Sequence, residues 1–321
     1  MVNWGQIARK TVEMQLKNKI SALFVIALLI FSPDARAEEF YGIRALGMGG
    51  ALRGAATGKS AVLLNPAGMS LMNSYVVGAD YSYQVRRDGH MAHVSVVDSI
   101  TSKRVAAGLY YNFFFSRPEV FSPSMQKTIK LNKQGHQAGL AISVPFGNYF
   151  ILGANARYLH FETVSKKRDG STGEVSDREV EKLNTAGVDA AALVRISKYF
   201  NLSVVGMNLI PTKSMEAPLQ LATGMAFTYG KYVLVDVDVV LDFDVPEKKK
   251  MVNVHGGVEG FVGGQFALRG GTYYKSYWEA TYVTAGFGYV NPKVAVDLGF
   301  AQQVQGGVET QFGLAFRLFL N

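Results

Sequence analysis

Residues 232–243 read YVLVDVDVVLDF. In an extended strand successive side chains point to opposite faces, so Val235, Val237, Val239 and Leu241 share one face and Asp236, Asp238 and Asp242 the other. A helix would scatter the same residues around its circumference. The pattern returns at 294–300, where Val294, Val296, Leu298 and Phe300 leave Asp297 on the opposite side. From residue 74 onward the chain can be cut into fourteen such segments, each near the roughly 9 to 11 residues with which a tilted strand crosses a bilayer. Hydrophobic residues make up 48% of the chain and charged ones 18%, yet beyond residue 37 no stretch approaches the length of a membrane helix. The apolar residues are distributed, as barrel strands distribute them.

The connections sharpen this reading. Gly147-Asn148, Lys198-Tyr199, Gly230-Lys231, Gly263-Gly264, Asn291-Pro292 and the stretch 99–103 are short links, mostly of turn-forming residues. Between them lie longer or more polar connections at 86–90, 116–136, 164–183, 211–218, 244–250, 275–278 and 303–307. Outer-membrane barrels alternate short periplasmic turns with longer outer loops. Seven outer loops and six inner turns close fourteen strands and put both termini on the periplasmic side. The expected fold is therefore an all-β, transmembrane antiparallel β-barrel of about fourteen strands.

The amino-terminal end fits export. Residues 20–31 (ISALFVIALLIF) are apolar without a break, follow Lys17 and Lys19, and lead to Ala35-Arg36-Ala37, a small-x-small cleavage site. The run is too short for a spanning helix. Residues 1–37 are thus expected to be a cleaved signal peptide, and Met14 begins a more usual basic end than Met1 does. Removing 1–37, with five basic and two acidic side chains, takes the formal charge from +8 to +5. The absence of cysteine agrees with passage through an oxidising periplasm. Lys166, Lys167, Arg168 and Lys248 to Lys250 fall in expected loops, where they would be solvated or meet lipopolysaccharide phosphates.

Parity places Asp80, Gln84, Asn155, Arg157, Asp189, Arg195, Asp236, Asp238, Asn253, His255, Glu259, Asp297 and Arg317 inside the expected barrel. With acids and bases both present, their expected role is a lattice of ion pairs that stiffens the lumen, with a substrate path as the alternative. Residues 38–73 do not alternate. They include RALGMGGALRGAATGKSAVLLNPAGMS at 44–70, whose small residues suit close packing against a wall, so that 38–73 read as a luminal plug and 74–321 as the barrel. Pro66 fixes its own backbone angle and disfavours a helix at Asn65, which marks a turn ahead of the first strand.

The block Arg44, Gly47, Met48, Gly49, Gly50, together with Asn65, Pro66, Ala67 and Gly68, resembles the amino-terminal hatch of the FadL/PorV-type outer-membrane barrels, the long-chain fatty-acid transporter-like superfamily. That resemblance implies fourteen strands, a hatch inside the lumen, and either passive uptake of hydrophobic compounds such as long-chain fatty acids or a PorV-like scaffold role with a protein partner. In the final strand Gln311, Gly313, Phe316 and Leu318 resemble the carboxy-terminal signal read by the barrel-assembly machinery, although the chain runs on to Asn321. Transporters of this superfamily carry large apolar outer loops. Here only 116–136, with Val120, Phe121, Pro123 and Met125, offers an apolar landing site.

Other chemistries find little support. The Gly-rich block lacks GxxxxGK[ST], so it is not a phosphate loop. Ser70, Ser74 and Ser82 have no GxSxG context. The five histidines show no metal-ligand spacing, and His90 and His93 differ by three where one strand face requires two. Neither enzymatic activity, a cofactor nor a bound metal is expected, and no nucleic-acid-binding module accompanies the mild basicity. A plugged lumen disfavours a general porin.

Overall fold

A computed structural model describes residues 40–122, 127–169, 175–212, 214, 216–245 and 251–320. The expected signal peptide at 1–37, Met14 included, lies outside them, as do Pro123, Met125 and Lys248 to Lys250. Two short helices, α1 (Ile43–Gly47) and α2 (Lys59–Leu64), and a 3-10 helix at Pro66–Leu71 precede the strands. The strands are β1 (Tyr75–Gln84), β2 (Gly89–Asp98), β3 (Ala106–Ser116), β4 (Glu119–Ser122), β5 (Lys127–Phe146), β6 (Phe150–Asp169), β7 (Val175–Arg195), β8 (Phe200–Met207), β9 (Gln220–Tyr229), β10 (Val233–Asp242), β11 (Val252–Val262), β12 (Phe266–Lys275), β13 (Ala280–Val290), β14 (Val294–Gln305) and β15 (Thr310–Leu320).

Each wall strand pairs antiparallel with its neighbours in sequence, and the ring closes where β1 meets β15, from Tyr75↔Leu320 to Gln84↔Gln311. The four-residue β4 pairs only with the far end of β5, while β3 pairs directly with β5 from Ala106↔Ser143 to Ser116↔Lys133. β4 is therefore an appendage, and fourteen strands make the closed cylinder, the number read from the sequence. Closure gives every ring strand a partner on each side over part or all of its length, as a bilayer core requires because it offers no water to free N–H and C=O groups; on the β8 side of β7 that ladder covers only Ala190 to Arg195.

The quoted stretch behaves as its alternation predicts. Along β10, Asp236 and Asp238 are fully buried whereas Val235 and Val237 are 38% and 40% exposed. The outward side is apolar elsewhere too, with Leu109, Leu140, Leu298 and Phe316 all exposed. Such a surface would be an aggregation liability in water and is solvated by lipid chains in a membrane. At the turn ends Gly147 (φ 66°) and Gly230 (φ 58°) take the left-handed conformation that lets the strands reverse tightly.

One expectation is overturned. The stretches 116–136 and 164–183 are not long loops: β5 and β6 each run for 20 residues and β7 for 21. Pairings such as Lys133↔Thr163 and Thr163↔Glu181 carry the ladder well past the apolar band. The backbone groups pair irrespective of side-chain polarity, and β-branched residues such as Thr163, Val164 and Val180 suit the pleat. Reading strands by their apolar face stopped them where the face ended, not where the hydrogen bonds ended. Lys166, Lys167 and Arg168 accordingly lie within β6, and Val120 and Phe121 within β4.

The core lies within the cylinder. Tyr41, Met48, Leu52, Leu64 and Met69 of the amino-terminal segment pack with Tyr110, Ala141, Ala226 and Leu234 of the wall, and Ile43 and Leu46 with Ala301 and Ala315.

Candidate functional site

The segment 40–73 touches the wall backbone to backbone, and glycine makes this possible. A Cβ built on Gly257 would stand 2.2 Å from Met48 O, one on Gly271 2.5 Å from Gly49 N, and one on Gly153 2.2 Å from Ala67 N. From the other side, a Cβ on Gly54 would meet Ala226 N at 2.6 Å, and one on Gly49 would meet Thr272 O at 2.5 Å. The glycines of wall and segment thus face each other along a seam where no side chain fits.

Polar side chains of the wall then hold the segment. Thr284 donates its Oγ1 hydrogen to Gly47 O (3.1 Å) and accepts from Gly49 N (2.9 Å), and His255 Nδ1 lies 2.9 Å from Gly49 O. Asp238 Oδ2 accepts from Leu52 N and Arg53 N, both at 3.1 Å, and pairs with the Arg53 guanidinium at 3.2 Å. Asp236 stands beside it in the strand, also fully buried. Lys59 of α2 forms an ion pair with Asp80.

Asn65, Pro66, Ala67 and Gly68 are all buried, and Asn65 is the cap of the 3-10 helix. Its Oδ1 accepts from Ala67 N (3.1 Å), and its Nδ2 donates to Arg53 O (2.7 Å), which ties two parts of the segment together. Pro66 sits at the first helical position, where no N–H is needed. Ser143 on β5 donates to Ala67 O at 2.9 Å.

Arg44 begins a chain of alternating charge. Its guanidinium grips Glu259 at 2.6 and 3.0 Å; Glu259 also accepts from Arg269 Nε at 2.6 Å; Arg269 reaches Asp297 at 2.9 Å, and Asp297 reaches Arg317 at 2.9 Å. Five side chains from α1, β11, β12, β14 and β15 cross-link the lumen, and the inner three are at most 1% exposed. A second cluster forms around Asp189. It accepts from Asn155 Nδ2 (2.9 Å) and Asn208 N (2.8 Å) and pairs with Arg157 at 3.0 Å. Gln84 is fully buried, and Asn253 Oδ1 caps Ser276 N at 3.1 Å.

Arg195 stands apart from both clusters. It lines a cavity of about 740 Å³ at the end of the barrel that carries the short turns, together with Arg44, Lys198, Lys231, Asn201 and Thr228.

In β15, Gln311 and Gly313 face inward and Phe316 and Leu318 outward. Gln311 donates to Ser82 Oγ at 3.2 Å. A Cβ on Gly313 would lie 2.1 Å from Ile43 Cδ1, so this glycine makes room for the segment.

Sequence reasoning did not single out Arg53, Lys59 or Arg269. Parity within β12 was sufficient for Arg269, because Leu268 is outward and Arg269 follows it. Arg53 and Lys59 belong to a stretch without period, where only their partners identify them. Among the described residues, no group of three or more acidic, histidine or cysteine side chains is arranged to hold a metal.

No protein-family model matches the chain, and no curated protein matches it. Solved structures do. The chain is similar to a deltaS2S3 mutant of the monoaromatic hydrocarbon channel TodX, at 14% identity over 88% of this chain and 99% of that one, with a TM-score of 0.63. It is similar to the Pseudomonas putida toluene transporter TodX (13%, 88% and 98%, TM-score 0.62) and to a Pseudomonas aeruginosa FadL homologue (12%, 87% and 97%, TM-score 0.61). At such identities the likeness is one of fold, and the fold is that of the FadL/TodX-type outer-membrane barrels.

Proposed function

We propose, with a FadL/TodX-type barrel as the premise, that this chain is an outer-membrane conduit for passive uptake of small hydrophobic compounds, long-chain fatty acids among them, with segment 40–73 as its hatch. The observation that carries the reading is the fold likeness, which spans nearly the full length of channels for toluene and other monoaromatic hydrocarbons. The lumen supports it physically. A bore crossed by Arg44, Glu259, Arg269, Asp297 and Arg317 and packed with the segment is filled, unlike the open water-filled bore of a general porin. An apolar passenger crosses only where the segment yields locally. In this reading the short turns and both termini face the periplasm, the outer rim lies among lipopolysaccharide, and Gln311, Gly313, Phe316 and Leu318 present the signal for the assembly machinery.

The test compares uptake of radiolabelled toluene and of oleate by cells lacking the protein with uptake by complemented cells. Faster uptake in the complemented strain is expected for at least one compound; equal uptake of both refutes the conduit.

The buried charge lattice favours a second reading, a PorV-like platform for secretion, surface attachment or assembly without transport. Gentle detergent extraction that yields a stoichiometric protein partner, together with equal uptake, would establish the platform instead.

A further inference from the structure

The cavity at the short-turn end borders the hatch and the Arg44–Glu259 end of the charge chain, but three of its cations belong to neither. Arg195, on the inward face at the end of β7, and Lys198 and Lys231, in adjoining turns, border it with Arg44. Glu259 is the one carboxylate in the lining, and it is taken up by Arg44 and Arg269. Among the described residues, no carboxylate lies within ion-pair distance of Arg195, Lys198 or Lys231; the Lys198 ammonium instead stands 4.7 Å from the centre of the Tyr199 ring. Three cations therefore line one open-mouthed cavity without a counter-charge of their own. The same lining includes apolar side chains, Leu71 of the hatch and Leu234 and Phe261 of the wall. At about 740 Å³ the cavity falls within the usual range for small-molecule sites.

We infer that this cavity binds an amphiphile headed by an oxyanion, a carboxylate or a phosphate, with Arg195, Lys198 and Lys231 around the head and Leu71, Leu234 and Phe261 against the first methylenes of the chain. Guanidinium and ammonium donors suit such oxyanions, and a concave protein surface strengthens the attraction relative to open water. The biological sense rests on the conduit reading: the site would receive an anionic passenger leaving the hatch, whereas a neutral hydrocarbon would pass without pausing there. The same head chemistry is found on a free fatty acid and on a membrane phospholipid.

The experiment is calorimetric titration of the whole protein in nanodiscs of zwitterionic lipid with octanoate, octyl phosphate, octanol and inorganic phosphate. Octanoate or octyl phosphate should bind about tenfold more tightly than octanol, three half-exposed cations being worth roughly twofold each. The tighter of the two identifies the source, fatty acid or phospholipid. The triple variant R195Q/K198Q/K231Q should lose that advantage, and the double variant K198Q/K231Q, changed only in turns, should lose part of it. K293Q, an exposed turn residue outside the lining, should bind as the parent does. Octanol as tight as both anions, inorganic phosphate as tight as octyl phosphate, or an unaffected triple variant overturns the inference. Anion binding without any uptake in cells refutes the conduit alone; uptake without anion binding refutes this site alone.

Discussion

Single residues decide whether segment 40–73 can sit. Gly257 faces Met48 O so closely that Gly257→Val should cost about 1–3 kcal/mol and unseat the segment. Arg53 and Lys59, both buried, should then become open to trypsin, whereas Gly270→Val, with nothing within 4 Å of its added Cβ, should leave the digest unchanged. Identical digests for the two variants would refute the seam. Glu259 stands between two guanidinium groups in a nearly dry site, so Glu259→Gln should lower stability by about 3 kcal/mol, the usual effect of removing one partner from a buried pair. The thermal transition in detergent reads this directly, and an unchanged midpoint would show that the lattice contributes little. At this scale the sequence was informative wherever a period existed. The inward position of Asp236, Asp238 and Asp297 followed from alternate valines, but the partners Arg53 and Lys59 lie in a stretch with no period to read. Gly313 carried a double meaning, since a pattern that resembles an assembly signal also hollows the wall for Ile43.

At the scale of elements, the wall and segment 40–73 were legible to different degrees. Alternation and turn chemistry gave fourteen strands with boundaries close to those observed, because membrane thickness and pleat together limit both length and facing. The extensions of β5, β6 and β7 were illegible for the same reason: outside the membrane band both faces are polar, and hydrogen bonding alone prolongs the strands. At about 3.4 Å per residue the 20 residues of β6 reach roughly 68 Å, about twice the hydrocarbon thickness even before tilt is considered. Lys182, half-exposed and 3.4 Å from Glu162, lies in the projecting part. A chain without cysteine makes this easy to check. Lys182→Cys should react with a membrane-impermeant maleimide on intact cells, and Lys293→Cys only after the outer membrane is permeabilised. The reverse order would invert the proposed orientation.

The molecule as a whole unites an apolar exterior with a polar, filled interior. It should therefore need detergent to stay in solution, and when folded it should migrate differently on unboiled and boiled gels, as a closed hydrogen-bonded cylinder resists unfolding by detergent alone. A compact monomer stable without detergent would contradict the outward placement of Leu109, Leu140 and Leu298. The contacts of segment 40–73 also bear on how such a molecule is made. Arg44 meets a residue 215 positions later, Gly49 one 206 positions later, and Gly47 one 237 positions later. Lys59 and Ala67 can meet their partners Asp80 and Ser143 on early strands, but residues 44–49 lack theirs until the last strands arrive, and β15 must then join β1 around them. The segment is enclosed when the ring shuts. A segment enclosed in this way leaves the ring as an intact body only if the β1–β15 seam parts; otherwise it rearranges a few residues at a time.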